Sequence, residues 1–183
     1  MRAAVFLDRD GVLNRNVWNA ATQAYESPLS ANAFELFPDT IPSLRRLAAA
    51  GYLLFLVSNQ PNYAKGKASM ETLDAIHAKL MRLLDADGIE FAASYYCFHH
   101  PEFTGACVCR KPSPHFLLEA HRAFGVELSE SWMIGDRPTD IACGRSAGTR
   151  TILIGEQTEE RAGATGMAKD LPAAVGMILA SRG

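Results

Sequence analysis

Short apolar segments alternate with helical patterns along most of this chain, and the apolar segments have no polar face. The segments that predict strands are residues 3–7, 52–57, 93–98, 132–135 and 150–154. Strands that are apolar on both faces are typical of a parallel sheet buried under helices on each side. The pattern therefore predicts an α/β fold, a Rossmann-like parallel sheet with helices on both faces.

Helical spacing of apolar residues predicts the segments between these strands. Ser69 is the predicted N-cap of a helix that runs to about residue 84, and Ser113 that of a helix through residue 124. Further helices are predicted at residues 41–48, 139–146 and 171–180. We expect residues 14–35 to form a loop or flap, and residues 155–168 to form a surface loop.

Length and charge limit the classes of function. The chain has 183 residues, which favours a single domain spanning residues 1–183, and its net charge is −2. The sequence shows no basic excess or stripe of the kind that a nucleic-acid partner requires. It also has no apolar run approaching the roughly 20 residues that span a membrane. We therefore expect a cytoplasmic monomer that binds a small molecule, with no nucleic-acid or membrane partner.

Polar motifs directly follow three of the predicted strands. Asp8-Arg9-Asp10-Gly11 follows the first, Ser58-Asn59-Gln60 the second, and Gly135-Asp136-Arg137 the fourth. Because the carboxyl ends of parallel strands line one crevice, we expect these motifs to meet in space. Each motif alone also fits a turn or a cap, so the inference depends on their joint placement.

Two carboxylates in one crevice indicate a bound cation. Asp8 and Asp136 would repel each other unless one is protonated or a cation lies between them. Oxygen ligands favour Mg²⁺, which commonly shares its coordination shell with phosphate. Lys111 would add a positive charge, and the Ser58 hydroxyl would bind phosphate oxygens.

These motifs resemble those of the haloacid dehalogenase (HAD) superfamily of phosphatases. Its four motifs are matched, in order, by residues 8–14, by Ser58-Asn59-Gln60, by Lys111, and by Gly135-Asp136-x-x-x-Asp140. The DRDGVLN, SNQ and CRKP segments are similar to the branch that contains histidinol-phosphate phosphatase and D-glycero-D-manno-heptose 1,7-bisphosphate phosphatase. The resemblance implies a capless HAD-like fold and a role in carbohydrate metabolism.

The resemblance also implies a mechanism. Asp8 would attack phosphorus to form an aspartyl-phosphate, and Asp10 would act as general acid and then as general base, which requires a protonated Asp10 in the first step. Mg²⁺ would be held by the Asp8 carboxylate, the Asp10 backbone carbonyl and Asp136. Ser58 and Lys111 would hold the phosphoryl oxygens, and Asp140 would orient Lys111 or a metal-bound water. The predicted substrate-binding residues are Asn59, Lys65, Arg110 and Arg137.

A Cys/His cluster predicts a second metal site. Cys97, His99, Cys107 and Cys109 form a Cys₃His set within a loop at about residues 97–109. Four protein ligands leave no open position, so the ion would be a structural Zn²⁺. His99 is preferred to His100 because it matches the family's C-x-H spacing. Free cysteines beside a His-His pair are the alternative, and Cys143 is predicted to be packed in a helix.

One loop departs from the pattern of the heptose enzymes. After Ser58-Asn59-Gln60 the sequence reads Pro61-Asn62-Tyr63-Ala64-Lys65-Gly66-Lys67, with Lys65-Gly66 where Arg-Gly is usual. The loop between His99 and Cys107 is also shorter than the corresponding loop in many heptose enzymes. A solvated loop and a substrate-contacting loop are both consistent with residues 61–67. A heptose bisphosphate is the first expected substrate and histidinol phosphate the second.

Two other classes of function are consistent with parts of the pattern. A phospho-accepting receiver module shares the α/β sheet, the acidic residues and the lysine, but it lacks the Asp-x-Asp arrangement and a zinc loop. A zinc-stabilised interaction protein would not need the acidic motifs. Steady turnover of p-nitrophenyl phosphate would separate a phosphatase from both.

Overall fold

A parallel sheet forms the centre of the molecule. The computed structural model describes residues 2–155 and 162–181. Its strands are β1 (Ala4–Leu7), β2 (Val17–Asn19), β3 (Ala24–Glu26), β4 (Leu53–Asn59), β5 (Ala93–Cys97), β6 (Trp132–Gly135), β7 (Arg150–Ile154) and β8 (Gly166–Ala168). Six of them pair in parallel in the order β5-β4-β1-β6-β7-β8, and β2 and β3 form a separate antiparallel hairpin. The predicted α/β fold is confirmed.

Helices cover both faces of this sheet. They are α1 (Thr40–Ala49), α2 (Met70–Asp85), α3 (Pro101–Thr104), α4 (His115–Phe124), α5 (Pro138–Ala147) and α6 (Leu171–Ala180). Alternate residues of β1 point to opposite sides, so that Val5 and Leu7 pack with α1, α2 and α6, whereas Phe6 packs with α4 and α5. Each fully buried side chain of this size contributes roughly 1.5–3 kcal/mol.

The hairpin β2–β3 lies in the segment that the sequence predicts as a loop or flap. Its strands have three residues each, too few for an alternating pattern to be recognised. Trp18 and Tyr25 lie opposite each other and pack edge to face, with ring centroids 5.2 Å apart. Such cross-strand aromatic pairs stabilise short hairpins. Among the described residues, no further domain is inserted between β1 and α1, in agreement with a capless fold.

Two other predictions at the level of elements need correction. Gly166–Ala168 forms β8 inside the predicted surface loop at 155–168; residues 156–161 of that loop lie outside the described residues. Gly166 weakens the strand pattern, but Met177 occupies the space that a side chain there would need. Ser69 caps α2 as predicted, whereas α4 begins later than expected, with Pro114 as its N-cap.

The topology creates a crevice at the carboxyl edge of the sheet. From β1 the chain moves to β4 and β5 on one side, and it later returns to β6 on the other side. Leu7 is paired with Leu56 of β4 and with Ile134 of β6, so the residues that follow these strands lie at one level. Ligands bind at such a switch point in open α/β sheets. None of the helices in the described ranges is long and apolar enough to cross a membrane.

Candidate active site

Three carboxylates meet at this switch point. Asp8, Asp136 and Asp140 each place an oxygen within 4.8 Å of the others. The Asp8 N–H donates to the Ile134 carbonyl over 3.0 Å, which holds the end of β1 against β6. Gly11 has a φ of +81°, and the Asp136 carboxylate occupies the space that a Cβ at position 11 would fill. The glycine therefore lets the turn after β1 approach the carboxylate closely.

Lys111 neutralises part of this charge. Its Nζ lies 3.0 Å from Asp8 Oδ1 and 2.7 Å from Asp140 Oδ1, and it donates to the Val57 carbonyl over 2.7 Å. The side chain is almost fully buried. Burial alone would lower the pKa of Lys111, but the charges of Asp8 and Asp140 outweigh it and raise that pKa. Lys111 is therefore a fixed cation in the floor of the site.

The remaining negative charge is uncompensated. Burial raises the pKa of Asp8 to about 6, although Lys111 opposes the shift and Asp140 adds to it. Burial, followed by repulsion from Asp8 and Asp140, raises the pKa of Asp136 to about 7. Asp136 Oδ1 is buried and has no hydrogen-bond partner. Oxygen ligands with an unsatisfied buried charge fit a hard divalent cation such as Mg²⁺.

Asp140 supports the site rather than offering free ligands. Its Oδ1 contacts Lys111, and its Oδ2 accepts from the Arg137 N–H over 3.0 Å, so both oxygens are engaged. A Cβ at Gly135 would collide with the Asp140 side chain, which explains the glycine before Asp136. The arrangement orients the Lys111 ammonium towards Asp8.

Asp10 lies in a cage of hydrogen-bond donors. Its Oδ1 accepts from Arg9 Nε (3.2 Å), Arg9 Nη2 (3.1 Å) and Asn14 Nδ2 (2.9 Å). Its Oδ2 accepts from Gln60 Nε2 (2.6 Å), Ser27 Oγ (2.8 Å) and, over 3.2 Å, Arg9 Nη2. Burial alone would raise the pKa of Asp10, but the Arg9 charge and these hydrogen bonds outweigh it and lower that pKa. The cage stabilises the carboxylate, whereas the first step of the expected mechanism needs the acid.

None of the four residues of this cage, Arg9, Asn14, Ser27 and Gln60, is among the predicted site residues. Arg9, Asn14 and Gln60 lie inside the recognised motifs, and a polar side chain beside a buried strand end is a signal that could have identified them. Arg9 is 1% exposed and lies over the rings of Phe34 and Tyr96. Ser27 gave no signal, because its contact with Asp10 depends on how the hairpin folds back.

The second motif contributes structure as well as candidate ligands. Ser58 is 2% exposed, and its hydroxyl accepts from Gln60 Nε2 over 3.0 Å. The Asn59 side chain makes two hydrogen bonds to the Lys111 backbone, one to the N–H (3.1 Å) and one to the carbonyl (3.2 Å). Asn59 thus joins β4 to the Lys111 segment.

A cavity of about 840 Å³ opens in front of these residues. Asp8 and Asp10 lie in its wall, together with the predicted substrate-binding residues Asn59, Lys65, Arg110 and Arg137. No described acidic side chain forms an ion pair with Lys65, Arg110 or Arg137. Lys67 differs, because its Nζ lies 3.2 Å from Glu26 Oε1 and thereby ties the hairpin to the 61–67 loop.

The four predicted zinc ligands converge beside the cavity. Cys109 Sγ lies 3.2 Å from Cys97 Sγ, 3.8 Å from Cys107 Sγ and 3.5 Å from His99 Nδ1. Cys97 Sγ is 3.7 Å from both Cys107 Sγ and His99 Nδ1. Tetrahedral zinc with Zn–S bonds of about 2.3 Å separates its ligands by roughly 3.8 Å. The three cysteines of the cluster are free, and so is Cys143 elsewhere in the chain. The cluster has the composition and dimensions of a closed zinc site.

The cluster is connected directly to the active-site cations. Arg110 follows Cys109 in the chain, and its Nη1 donates to the His99 carbonyl over 3.1 Å. Lys111 comes next. An ion that holds the 97–109 loop would therefore also hold the backbone that carries both side chains. Cys143 is buried in α5, and its thiol donates to the Ser113 carbonyl over 3.2 Å.

Comparison with known proteins relates the chain to phosphatases. Residues 108–176 match the HAD-hydrolase-like family model. The D-glycero-beta-D-manno-heptose-1,7-bisphosphate 7-phosphatase of Pasteurella multocida is 34% identical over 84% of this chain and 82% of its own length. The D-glycero-D-manno-heptose-1,7-bisphosphate 7-phosphatase of Thermosynechococcus vestitus is 37% identical over 84% of this chain and 79% of its own length.

A solved structure shares the same architecture. The D,D-heptose 1,7-bisphosphate phosphatase from B. bronchiseptica, complexed with magnesium and phosphate, superposes with a TM-score of 0.81 at 28% identity. The match covers 98% of this chain and 99% of that one.

Proposed function

We propose, because this chain belongs to the HAD-like hydrolase family of heptose bisphosphate phosphatases, that it hydrolyses the 7-phosphate of a D-glycero-D-manno-heptose 1,7-bisphosphate. Residues 1–183 act as one phosphatase domain, and the reaction passes through a phosphorylated Asp8. The proposal is supported by one observation above all. Asp8 and Asp136 meet in one crevice beside the Lys111 ammonium, and Asp8 and Lys111 line a cavity whose wall also carries cations without a described acidic partner.

The first chemical step is phosphoryl transfer to the protein. An Asp8 carboxylate oxygen attacks phosphorus, the new P–O bond forms, and the bond to the sugar oxygen breaks. Lys111 contacts Asp8 and is placed to balance charge on the phosphoryl oxygens. Asp10 gives its proton to the departing sugar oxygen.

The second step is hydrolysis of the aspartyl-phosphate. Asp10 is then a carboxylate and takes a proton from the attacking water, which releases phosphate and restores Asp8. The donor cage favours this form of Asp10. Both oxygens of Asp10 accept hydrogen bonds from the cage. A protonated Asp10 has one oxygen that carries hydrogen, so one donor of the cage must give up its hydrogen bond in the first step.

Two sets of residues would hold two metal ions with different roles. Asp8, Asp136 and the Asp10 backbone carbonyl would hold Mg²⁺, which offsets the repulsion between the carboxylate nucleophile and the phosphate when it is bound. Cys97, His99, Cys107 and Cys109 would hold a structural Zn²⁺. The zinc cluster contributes to catalysis by fixing the backbone of Arg110 and Lys111.

The cavity wall favours a second phosphate over an amine. Lys65, Arg110 and Arg137 are cations without a described acidic partner, whereas Glu26 in the same wall is paired with Lys67. Histidinol phosphate carries an ammonium group, which this wall would repel. A 1-phosphate on the far side of the sugar would complement the positive charge of this wall.

A phosphate-release assay tests the proposal. We expect the protein to release phosphate from heptose 1,7-bisphosphate only when Mg²⁺ is present. We expect kcat/KM to be at least about 100-fold above that for histidinol phosphate, because the cations of the wall attract a second phosphate and repel an ammonium group. Loss of the Arg110 charge, in Arg110→Met, should raise KM for the bisphosphate more than it lowers kcat. Equal turnover of both substrates, or turnover in a chelator, would contradict the proposal.

A further inference from the structure

Ser27 differs from the other partners of Asp10 in where it lies. Arg9 and Asn14 lie in the segment that follows β1, Gln60 directly follows β4, and each is almost fully buried. Ser27 follows β3 and is only half-buried. Among the described residues that bond the Asp10 side chain, Ser27 is the one that also lines the cavity. It therefore contacts Asp10 on the side from which a substrate would approach.

Ser27 differs from the other partners in chemistry as well. The guanidinium of Arg9 and the amide NH₂ groups of Asn14 and Gln60 can only donate to Asp10. A hydroxyl can donate to a carboxylate and can turn to accept from a carboxylic acid. Five donor groups already surround about four lone-pair positions of the carboxylate. Ser27 is the contact that can adapt to both forms of Asp10.

The hairpin holds Ser27 in place from both neighbouring positions. Glu26 accepts from Lys67 Nζ and from Asn19 Nδ2, which is 3.1 Å from Glu26 Oε2. Pro28 on the other side is buried. The 2.8 Å hydrogen bond from Ser27 to Asp10 Oδ2 is therefore made by an anchored residue, and not by a freely moving loop.

We propose that Ser27 is a positioning residue that orients the Asp10 carboxyl for proton transfer to the leaving sugar oxygen. The role rests on the proposed function, because it concerns the same proton transfer. It gives the segment that follows the β2–β3 hairpin a part in catalysis. Within the described ranges, Ser27 makes the one hydrogen bond to the Asp10 side chain that comes from a cavity-lining residue.

The test compares two leaving groups. The sugar oxygen of heptose 1,7-bisphosphate needs a proton to depart, whereas the phenolate of p-nitrophenyl phosphate leaves without one. Since kcat/KM reports the steps up to leaving-group departure, we define a ratio, kcat/KM for the bisphosphate divided by kcat/KM for p-nitrophenyl phosphate. For Ser27→Ala we expect this ratio to fall about ten-fold, the effect of one lost hydrogen bond. For Asp10→Asn, which removes the acid itself, it should fall by at least about 100-fold.

Matched variants separate positioning from folding. Ser27→Thr keeps the hydroxyl and should return the ratio to within about two-fold of the parent value. Ser30→Ala removes an exposed serine hydroxyl from the same segment, where it accepts from the Ala33 N–H, and should leave the ratio unchanged. If Ser27→Ala does not fold, Ser27→Cys keeps the size, weakens the hydrogen bond and should lower the ratio in the same direction.

The outcomes distinguish the two proposals. Equal losses with both substrates in Ser27→Ala, or an unchanged ratio while Asp10→Asn lowers it, would overturn the role of Ser27 and leave the proposed function intact. No turnover of the bisphosphate by the unaltered protein would overturn the proposed function, and the role of Ser27 with it.

Discussion

Single residues of the site differ in whether their charge is compensated. Asp10 and Asp140 are fully engaged by donors, and Lys111 is paired with two carboxylates. Asp8 and Asp136 retain charge that burial makes costly, and their pKa values are raised accordingly. The groups whose charge is least compensated are those to which the mechanism assigns nucleophilic attack and metal binding.

Removing the nucleophile should end turnover. We expect Asp8→Asn to lower kcat by about 10³-fold or more, because an amide does not attack phosphorus. Phosphate release from heptose 1,7-bisphosphate measures the effect. Asp74→Asn, an exposed change of the same chemistry on α2, should keep the parent rate. Parent-like activity in Asp8→Asn would remove Asp8 from its role.

Neutralising Asp136 should stabilise the metal-free protein. Because its folded pKa is raised to about 7, the carboxylate disfavours folding once it is charged, so stability falls as pH rises from about 4 to 7. Metal-free Asp136→Asn should therefore melt at least about 3 °C above the metal-free parent at pH 8, and the difference should shrink at pH 5. Thermal unfolding measures this difference.

Mg²⁺ should reverse the order of the two melting temperatures, so that the parent melts above Asp136→Asn. The ion binds the folded parent and raises its Tm, whereas Asp136→Asn lacks one ligand and should gain little. A parent whose Tm does not respond to Mg²⁺ at pH 8, or a variant that responds equally, would contradict the assignment of Asp136 as a metal ligand.

At the scale of elements, the 97–109 loop connects the Cys/His cluster to the two cations Arg110 and Lys111 in the cavity wall. Cys109, Arg110 and Lys111 are consecutive, and Asn59 holds the Lys111 backbone from β4. The loop has little regular structure of its own, since α3 is a single short turn. The Asn59 contacts, together with a metal ion if the Cys/His cluster binds one, would take the place of secondary structure in positioning Lys111.

Loss of one zinc ligand should reduce both metal content and catalysis. In Cys107→Ala we expect the bound zinc to be lost and kcat/KM to fall by about 10-fold or more, because Arg110 and Lys111 lose their anchor. Elemental analysis and the phosphate-release assay give the two values. Cys143→Ala provides the control. Cys143 lies in α5 and is not one of the four cluster residues, so this variant should keep its bound zinc. Unchanged zinc and activity in Cys107→Ala would refute this account.

The whole molecule brings distant residues together through parallel pairing. Asp8 and Asp136 are far apart in sequence, but β1 and β6 are neighbours in register, so their ends coincide. This much could be predicted from the sequence, because apolar strands followed by acidic residues imply one crevice at the sheet edge. The strands and the motifs that follow them were visible as local patterns, whereas the order β5-β4-β1-β6-β7-β8 depends on pairing between distant segments.

The parts that could not be predicted depend on contacts between segments without periodicity. The β2–β3 hairpin has three-residue strands, and β8 contains a glycine, so neither carries an alternating pattern. Ser27 reaches Asp10 because the hairpin folds over the cavity, and its neighbours in sequence do not indicate that contact. The donor cage around Asp10 likewise combines three segments of the chain, so the sequence indicates that the field around Asp10 is tuned but not that its pKa is lowered.

A crystal structure with Mg²⁺ and orthovanadate tests the central claim most directly. The account predicts one ion about 2.0–2.1 Å from an oxygen of Asp8 and from an oxygen of Asp136, with the vanadium facing the Asp8 carboxylate and Lys111 on its oxygens. A structure with the ion bound away from these two carboxylates, or with vanadate outside the reach of Asp8, would contradict it.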